Sequence, residues 1–523
     1  MRKLMVVSNQ PLPPQERKEK KGIDLYLLIL ISLGGWVIAW LSGSPVFADF
    51  AALIGVILVG RWIWSIWGIP SKMLRFVELS AAMLCLLQNT AWLTASFTHR
   101  FVLHLNIEDS IRDTMVGGLR FESYCLAIIY VTLFSAFLAY ASSRKFFAGA
   151  TTVVIEAVAK IRRIRVPVVI NILLFLIGAE ILFIALGIIG QRTMVIEGAK
   201  EGEQSFLVSL FTMCTPIQVI LNALLLSKLT GKAKMRSSFI PWVIFITSMA
   251  LSLFLYFNQG RSGLVFSVIS LGFWYYLFLE IKPKLWKLAL GFAIVYPIIT
   301  QVLLFSNFVR SANAGLDTWK SSAIEVLPVA WERFTSNAQF QVEEQARSTK
   351  NISTRPLVSV PLAHCMQALP GNKDFTMGEH ILNSIVWIIP GPIFPNKTEY
   401  PIQEALLYKH FKIGDTDTSD SLYLYAYTEF GWAGFIIYPA LLLALWLLVC
   451  RMLRTVKSSV LCSMIILTNF FQLFIFNIAE GSITMWLTVF RVAVFVFVLY
   501  HLVALFVPRR IMIPEKQLDP AAG

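Results

Sequence analysis

The chain has 523 residues, of which 57% are hydrophobic and only 15% are charged, and its mean hydropathy is +0.68. A soluble globular protein has about 45–50% apolar and about 25% charged residues, so these values exclude a soluble enzyme, a disordered chain and a nucleic-acid-binding protein. The net charge of +14 comes from short basic clusters between long apolar runs, which is the pattern of a multi-pass membrane protein.

The chain begins with a polar, basic tail, 1–22, and an apolar run follows from Ile23 without a small-residue cleavage site. We interpret this run as a retained signal-anchor helix. A membrane span needs about 20 predominantly apolar residues. The windows that qualify are 23–42, 47–67, 77–97, 124–141, 166–189, 206–227, 239–257, 263–279, 288–308, 430–450, 458–477 and 483–507. The sequence therefore predicts an all-α, polytopic membrane protein of about 12 transmembrane helices.

The distribution of basic residues tests this predicted topology independently. With the N-terminus in the cytoplasm, the segments on that side carry 27 of the 45 Lys and Arg residues, whereas the short loops on the other side carry six. Cytoplasmic loops are enriched in Lys and Arg, and this bias sets the orientation of a membrane protein. We therefore expect both tails, 1–22 and 508–523, to be cytoplasmic.

One segment between spans is far longer than the others. Residues 309–427 follow transmembrane helices 1–9 (23–308), precede helices 10–12 (428–507), and are predicted to form a large external loop, periplasmic in a bacterium. Loops of this length are usually functional or inserted domains. Within it, 381–394 is apolar, too short to span a membrane and interrupted by two prolines, which indicates a re-entrant segment.

External arginines are the candidate ligands for an anionic substrate. The sequence has no P-loop motif, and external chemistry has no nucleotide-activated donor, so we expect a substrate that is an activated lipid with its phosphates at headgroup level. A guanidinium group binds phosphate oxygens in two places at once. Arg261, in the turn 258–263, is the first candidate, and the alternative is an arginine solvated by lipid headgroups. Further candidates are Arg310, Arg333, Arg355 and Arg491.

Arg491 lies nine residues into the twelfth predicted span. An unpaired charge at that depth costs about 2.5–3.5 kcal/mol on the most lenient scale. Two interpretations stay open: a structural pair with Glu180 or Glu480, or a role at the anionic site.

A strip of polar residues, 415–421, precedes the tenth span and carries three carboxylates. A calcium loop is excluded because Asp420 stands in place of the turn glycine and Ala426 in place of the bidentate Glu. The strip suits sugar hydroxyls or a general base, and the alternative is a solvated loop. His380 and His410 are either proton acceptors or ordinary surface histidines.

Three blocks occur in order in the C-terminal half: GRSGL at 260–264, FTMGEH followed by IIPGPIFPNK within 375–397, and TDTSDS followed by YTEFGWAG within 416–434. This order resembles the bacterial O-antigen and exopolysaccharide repeat-unit polymerases. In that family an arginine turn precedes a helix, a P-R-x-x-x-P-x-K-P segment lies in a large external loop, and an F-G-x-x-G helix start follows. Two positions depart from the pattern, with Gly391 in place of arginine and Thr398 in place of a second proline.

The resemblance implies a GT-C-like architecture, surrounded by the lipids of the bacterial inner membrane. It implies a metal-independent, inverting glycosyl transfer at the outer face that needs no cofactor. The donor would be a growing glycan on polyprenyl (undecaprenyl) pyrophosphate, and the acceptor a single lipid-linked repeat unit. A partner that regulates chain length is implied as well.

The resemblance also assigns roles to residues. Arginines would stabilise the departing pyrophosphate, Lys397 would add a phosphate contact, and Arg355 or Arg310 would supply the charge that Gly391 lacks. The candidate general bases are His380, Asp417, Asp420 and Glu429. Glu429 has a second interpretation, in which it complements the dipole of the tenth helix.

Other functions remain possible on the sequence. An O-antigen ligase would use the same donor but transfer the glycan to a lipid core. A lipid-linked oligosaccharide flippase predicts charged residues along a path within many spans, whereas the intramembrane charges here are few. A membrane acyltransferase would need a histidine-based constellation that the sequence does not display.

The predicted topology can be tested by cysteine labelling. Single cysteines introduced within 309–427 are expected to react with a membrane-impermeant thiol reagent added outside the cell. Cysteines introduced within 228–238 should react only after permeabilisation, because that basic loop is predicted to be cytoplasmic. Labelling of 309–427 from the cytosolic side alone would contradict the external site.

Overall fold

A computed structural model gives the fold of most of the chain. The residues described are 25–67, 70–102, 104, 118–185, 206–230, 239–259, 261–279, 301, 305, 308, 323–336, 359–369, 375–389, 393–401, 404–411, 421–456, 458–475, 478 and 481–506. About 90% of them are helical, and no strand occurs in this part of the chain. The fold class is all-α. Both predicted cytoplasmic tails and nearly all of the predicted ninth span lie outside the described residues.

The N-terminal half consists of long apolar helices. They are α1 (Leu25–Ser42), α2 (Pro45–Trp67), the short α3 (Pro70–Met73), α4 (Phe76–Phe97), α5 (Phe121–Ser142), α6 (Lys145–Arg162), α7 (Val166–Ala185), α8 (Phe206–Thr230), α9 (Phe239–Gln259) and α10 (Arg261–Leu279). A turn of π-helix, Thr98–Val102, extends α4.

The C-terminal half alternates short helices with three long ones. The short helices are α11 (Ala323–Ser336), α12 (Ser359–Ala368), α13 (Glu379–Ile388), α14 (Glu404–Phe411) and α15 (Leu422–Phe430). The long ones are α16 (Gly434–Thr455), α17 (Val460–Ile475) and α18 (Ile483–Phe506). Two 3₁₀ turns, Pro395–Glu399 and Gly431–Ala433, lie between them.

Several helices have the length and composition to cross a membrane. In the described residues six do so, or seven if the pair α6 and α7, bent by 90°, counts as one span. Large apolar side chains on these helices are exposed, among them Leu41 at 71% and Phe175 at 75%. Because such side chains would be costly in water, they fit a surface that faces lipid. The chain is thus an all-α protein with the composition of a multi-pass membrane protein.

The segment 142–165, predicted as a cytoplasmic loop, is largely the helix α6. Its buried residues, including Val154 and Ile161, pack towards α16 and α17, while Glu156 is exposed. This amphipathic pattern is typical of a helix that packs on its neighbours by one side, and the chain bends by 90° between α6 and α7.

The helix α12 lies inside the bundle, although it belongs to the long segment predicted to be external. Its residues Leu362, Ala363 and Cys365 are fully buried, and it packs against α5 and α15. At its N-terminal end the hydroxyl of Ser359 donates to the side-chain oxygen of Gln88, which is the thirteenth residue of the 22-residue α4. The long segment 309–427 therefore contributes a buried helix whose first residue contacts the middle of α4. This buried helix was not predicted from the sequence.

The start of α16 approaches α15 so closely that only glycine fits. A Cβ atom on Gly434 would lie 2.0 Å from the backbone oxygen of Ala426 and 2.5 Å from the hydroxyl of Tyr130. Both atoms belong to packed helices, so a side chain at this position would force the helices apart.

We expect Gly434→Ala to destabilise the protein by about 1–3 kcal/mol because it overpacks this contact. The change should appear as a lower unfolding temperature of the detergent-purified protein. The matched control is Gly60→Ala in α2, where nothing lies within 4 Å of the added Cβ and alanine favours the helix. Equal unfolding temperatures for the two variants would contradict the close approach.

Candidate functional site

Two of the three sequence blocks that carry the family resemblance contact one another. The backbone N–H of Thr376 donates to the oxygen of Thr428 at 3.0 Å, and the N–H of Met377 donates to the oxygen of Glu429 at 3.2 Å. The irregular segment 375–378 before α13 is thereby bonded to the C-terminal end of α15. Residues 375–380 and 427–434 form one structural unit, although about 50 residues separate them in the chain.

Gly431 allows the segments 375–380 and 427–434 to approach each other closely. Gly431 ends α15 with a φ of +56°, which favours glycine, and a Cβ atom there would lie 2.9 Å from the ring of Phe375. The hydroxyl of Tyr130 on α5 donates to the backbone oxygen of the same Gly431 at 3.3 Å. The first glycine of the FGWAG motif therefore serves a close aromatic contact between the two blocks.

The carboxylate of Glu429 holds the N-terminus of α13. It is fully buried, and its Oε1 accepts the backbone N–H of Ile381 at 3.0 Å and interacts with that of His380. Its Oε2 accepts the hydroxyl of Tyr438 on α16. The first N–H groups of a helix lack partners within the helix, and negative charge is favourable there. Glu429 thus acts as a cap supplied from another helix, and both of its oxygens are already engaged as acceptors.

His380, the second residue of α13, is fully buried. Its ring stacks on the ring of Tyr425, with centroids 3.9 Å apart and planes at 10°. Neither ring nitrogen has a hydrogen-bond partner among the described residues. Burial lowers the pKa of His380 from its ordinary 6.5 to about 3, so the imidazole is neutral at pH 7. A buried, neutral imidazole with an unused acceptor nitrogen can accept a hydrogen bond from a ligand, whereas its low pKa opposes full protonation.

The neighbouring Glu379 is ion-paired. Its two oxygens lie 2.7 Å from Nζ of Lys409 and 2.7 Å from Nε2 of His410, both on α14. Burial tends to raise the pKa of Glu379, but the hydrogen bond from Lys409 and the nearby His410 outweigh it, and the net shift is downward. Glu379 is therefore a carboxylate that fastens α14 to α13, and His410 is committed to the same contact.

Two cationic residues lie at the other end of α13. The guanidinium of Arg491 donates from Nη1 to the backbone oxygen of Ile388 at 3.2 Å. Nζ of Lys397 lies 5.6 Å from the ring centroid of Trp387, whose indole N–H donates to the oxygen of Tyr400 at 2.7 Å. A helix C-terminus favours positive charge, so Arg491 stabilises the end of α13.

The partner of Arg491 is therefore a backbone carbonyl within the described residues. Glu180 is not that partner, because its Oε2 accepts from Gln218 instead, and Glu480 lies outside the described residues. The Glu180 pairing that the sequence left open for Arg491 is therefore absent, whereas the Glu480 pairing stays a prediction.

The predicted site residues thus fall into separate groups. His380 and Glu429 meet at the N-terminal end of α13, while Lys397 and Arg491 lie at its C-terminal end. Eight residues of helix separate the two groups, which is about 12 Å at 1.5 Å per residue. Arg333 is exposed on α11, whose aromatic residues contact Phe305 and Phe308. Arg261 begins α10, but its side chain lies outside the described residues, as do Arg310, Arg355, Asp417 and Asp420.

Sequence reasoning missed the two tyrosines of this site. Tyr425 stacks on His380 and Tyr438 bonds Glu429. One signal was present, because Tyr425 and Glu429 are four residues apart and so share a face of α15. Nothing local could point to Tyr438, since its contact depends on how α16 packs against α15. The described part of the chain has no group of three histidine, cysteine or acidic side chains that could hold a metal ion.

No protein-family model matches this sequence, and neither a curated protein nor a solved structure matches the chain.

The depressed pKa of His380 predicts a stability that depends on pH. Between pH 6.5 and 3 the unfolded chain binds a proton on this histidine and the folded chain does not, so its contribution is complete above pH 6.5 and is lost as the pH falls. From pH 6.5 to 5 the loss is about 2 kcal/mol. The measurement is the unfolding temperature of the purified protein at pH 7.5 and 5.

His380→Phe keeps an aromatic ring on Tyr425 without a titrating group, so this variant should lose less stability on acidification. His501→Phe, at an exposed position of α18, is the control and should behave as the wild type. Identical pH responses of all three proteins would show that His380 is not buried as described.

Proposed function

We propose that this protein polymerises lipid-linked oligosaccharide repeat units into a polysaccharide (an O-antigen, capsule or exopolysaccharide) at the outer face of a bacterial inner membrane. The reaction would be a metal-independent glycosyl transfer from polyprenyl pyrophosphate. The observation that carries the proposal is the bonded unit of 375–380 and 427–434, which joins two of the family-like sequence blocks around the buried His380.

In the proposed step, a hydroxyl oxygen of the acceptor repeat unit bonds to the anomeric carbon of the donor glycan. The bond from that carbon to the pyrophosphate oxygen breaks, and polyprenyl pyrophosphate leaves with the electron pair. The hydroxyl proton passes to an unused ring nitrogen of His380. A nearby anionic pyrophosphate raises the pKa of an imidazole, so substrate binding would oppose the effect of burial and make His380 a better base at neutral pH.

Arginines would supply the positive charge that stabilises the leaving pyrophosphate. Arg261 is the first of these, with Arg310, Arg355 and Arg333 as further ligands. Arg491 uses one N–H group on Ile388 and has others in its five-donor fork. Lys397, next to Trp387, adds a further cation. Asp417 and Asp420, just before the capped start of α15 at Ser421, would bind sugar hydroxyls or share the proton.

The proposed membrane arrangement has 12 spans with a GT-C-like architecture and both termini in the cytoplasm. It is supported by the overlap of 11 of the 12 predicted windows with a helix of the structure, although only six or seven helices of the described residues are long and apolar enough to cross a membrane. The predicted fourth window, 124–141, corresponds for example to α5 (Phe121–Ser142). Within this arrangement a chain-length regulator would be a membrane partner of the polymerase.

The proposal can be tested with purified protein in liposomes supplied from outside with lipid-linked repeat units, by resolving the products on a gel. The wild type is expected to form a ladder of polymers. His380→Gln should reduce the rate about 10²–10⁴-fold, the usual contribution of a general base. Arg261→Ala should abolish elongation while expression and membrane insertion stay normal.

The controls are His501→Gln and Arg165→Ala, two exposed positions away from the proposed site, and both should elongate normally. A His380→Gln variant as active as the wild type would remove the proposed base. Absence of polymer with the wild type would contradict the function, and a flippase would give this result. In a deletion strain, single-repeat intermediates support the polymerase, whereas complete but unattached polymer identifies a ligase.

A further inference from the structure

A buried polar cluster lies between α7, α8 and α9, away from the site described above. Its members are Glu180, Gln218, Asn222, Ser248 and Ser252, and each is at most 1% exposed. Glu180 is the fifteenth residue of the 20-residue α7, Gln218 the thirteenth of the 25-residue α8, and Ser248 the tenth of the 21-residue α9. In a membrane-spanning arrangement these positions lie well inside the apolar layer.

The hydrogen bonds of the cluster fix how Gln218 is oriented. Its Nε2 lies 3.0 Å from Oε2 of Glu180 and 3.1 Å from the backbone oxygen of Ser248. A carbonyl can only accept, and so can an ionised carboxylate, so the amide nitrogen and not the amide oxygen must face them. The amide of Asn222 donates to the hydroxyl of the same Ser248 at 2.9 Å.

This orientation leaves oxygen atoms without donors. Oε1 of Gln218, Oδ1 of Asn222 and Oγ of Ser252 are buried and have no hydrogen-bond partner among the described residues. The amide nitrogens of Gln218 and Asn222 both bond the hydroxyl of Ser248. The oxygen atoms of these two amide groups therefore lie near that hydroxyl. Buried polar atoms are nearly always satisfied by protein groups or by ordered water, and buried oxygens without donors beside a carboxylate suit a ligand that is positively charged.

The chain itself supplies no such charge in its described part. The single basic residue in the sequences of α7, α8 and α9 is Lys228. It lies ten residues from Gln218, or about 15 Å along α8. Glu180 has no ion-pair partner among the described residues, and an isolated carboxylate in an apolar layer is costly.

We propose that Glu180, Gln218, Asn222 and the serines of α9 bind one monovalent metal cation of the sodium class. Oxygen ligands suit hard cations. A single carboxylate balances a single positive charge, whereas calcium sites usually gather several carboxylates among six to eight oxygens. Amide and hydroxyl oxygens would replace part of the hydration shell of the ion, as carbonyl oxygens do in ion-selective pores. The ion would add a charged contact to the hydrogen bonds by which these three helices already meet.

The test uses the full chain purified in detergent, with ionic strength held constant by choline chloride. A ligand that binds only the folded state raises the unfolding temperature as its concentration rises. We expect replacement of choline by sodium to raise the unfolding temperature by several degrees in the wild type. Glu180→Gln keeps an oxygen acceptor for Gln218 but removes the charge, so its unfolding temperature should not respond.

Glu122→Gln, at an exposed position of α5, is the matched control and should respond to sodium as the wild type does. Binding of radioactive sodium to the wild-type protein gives a second measurement that does not require the variant to fold. It should be saturable, and at least tenfold weaker in Glu180→Gln.

Three outcomes overturn the proposal. One is equal stability of the wild type in sodium, potassium and choline. Another is sodium binding that Glu180→Gln retains. The third is a stability that follows pH but not the cation, which would mean that Glu180 carries a proton in place of a metal ion. Each of these results leaves the glycosyl-transfer proposal untouched, because the cluster lies on other helices.

Discussion

The buried carboxylate of Glu429 is the contact on which the arrangement of α13, α15 and α16 depends. It takes N–H groups from the start of α13 and a hydroxyl from α16 while it is itself part of α15. Removal of this one group would leave several donors without partners in a buried setting, where each lost bond is expensive. The position of His380 follows from this contact, because the backbone of that residue belongs to the capped turn.

The rule that buried polar groups need partners also separates complete polar clusters from incomplete ones elsewhere in the bundle. Asp49 accepts from Trp92 at 2.9 Å, from Ser96 at 2.8 Å and from Arg100 at 2.5 Å, so both of its oxygens are used and its charge is balanced. That cluster is complete and fastens α2 to α4. His380 and the Glu180 cluster differ, since each leaves buried acceptors without donors in the described residues. Buried acceptors of this kind are completed by water or by a ligand, and the two proposals above assign a ligand to each.

Most of the long helices could be predicted from the sequence because long apolar runs favour helices that can cross a membrane, but α6 was predicted as a loop because its apolar residues occupy one face only. The site could be predicted only in part. His380 and Glu429 stood out by residue type, but the bond that joins Glu429 to the backbone of Ile381 bridges 48 positions, and the bond from Arg491 to Ile388 bridges 103. Such pairings depend on tertiary packing, which local periodicity does not encode. The buried helix α12 was not predicted for a related reason. Its ten-residue sequence is too short and too mixed in polarity to resemble a membrane span.

The geometry of α13 also divides the work between the base and the cations of the proposed reaction. About 12 Å of helix separates His380 from the carbonyl that Arg491 caps, and a diphosphate, with two phosphorus atoms joined through one oxygen, is much shorter than that. One pyrophosphate group therefore does not bridge both ends of α13. In a direct displacement the attacking hydroxyl and the leaving pyrophosphate lie on opposite faces of the anomeric carbon, so the proton acceptor and the cations belong on opposite sides of the donor sugar. His380 lies at one end of α13 and the cations Arg491 and Lys397 lie at the other, which is the order that the proposed step requires.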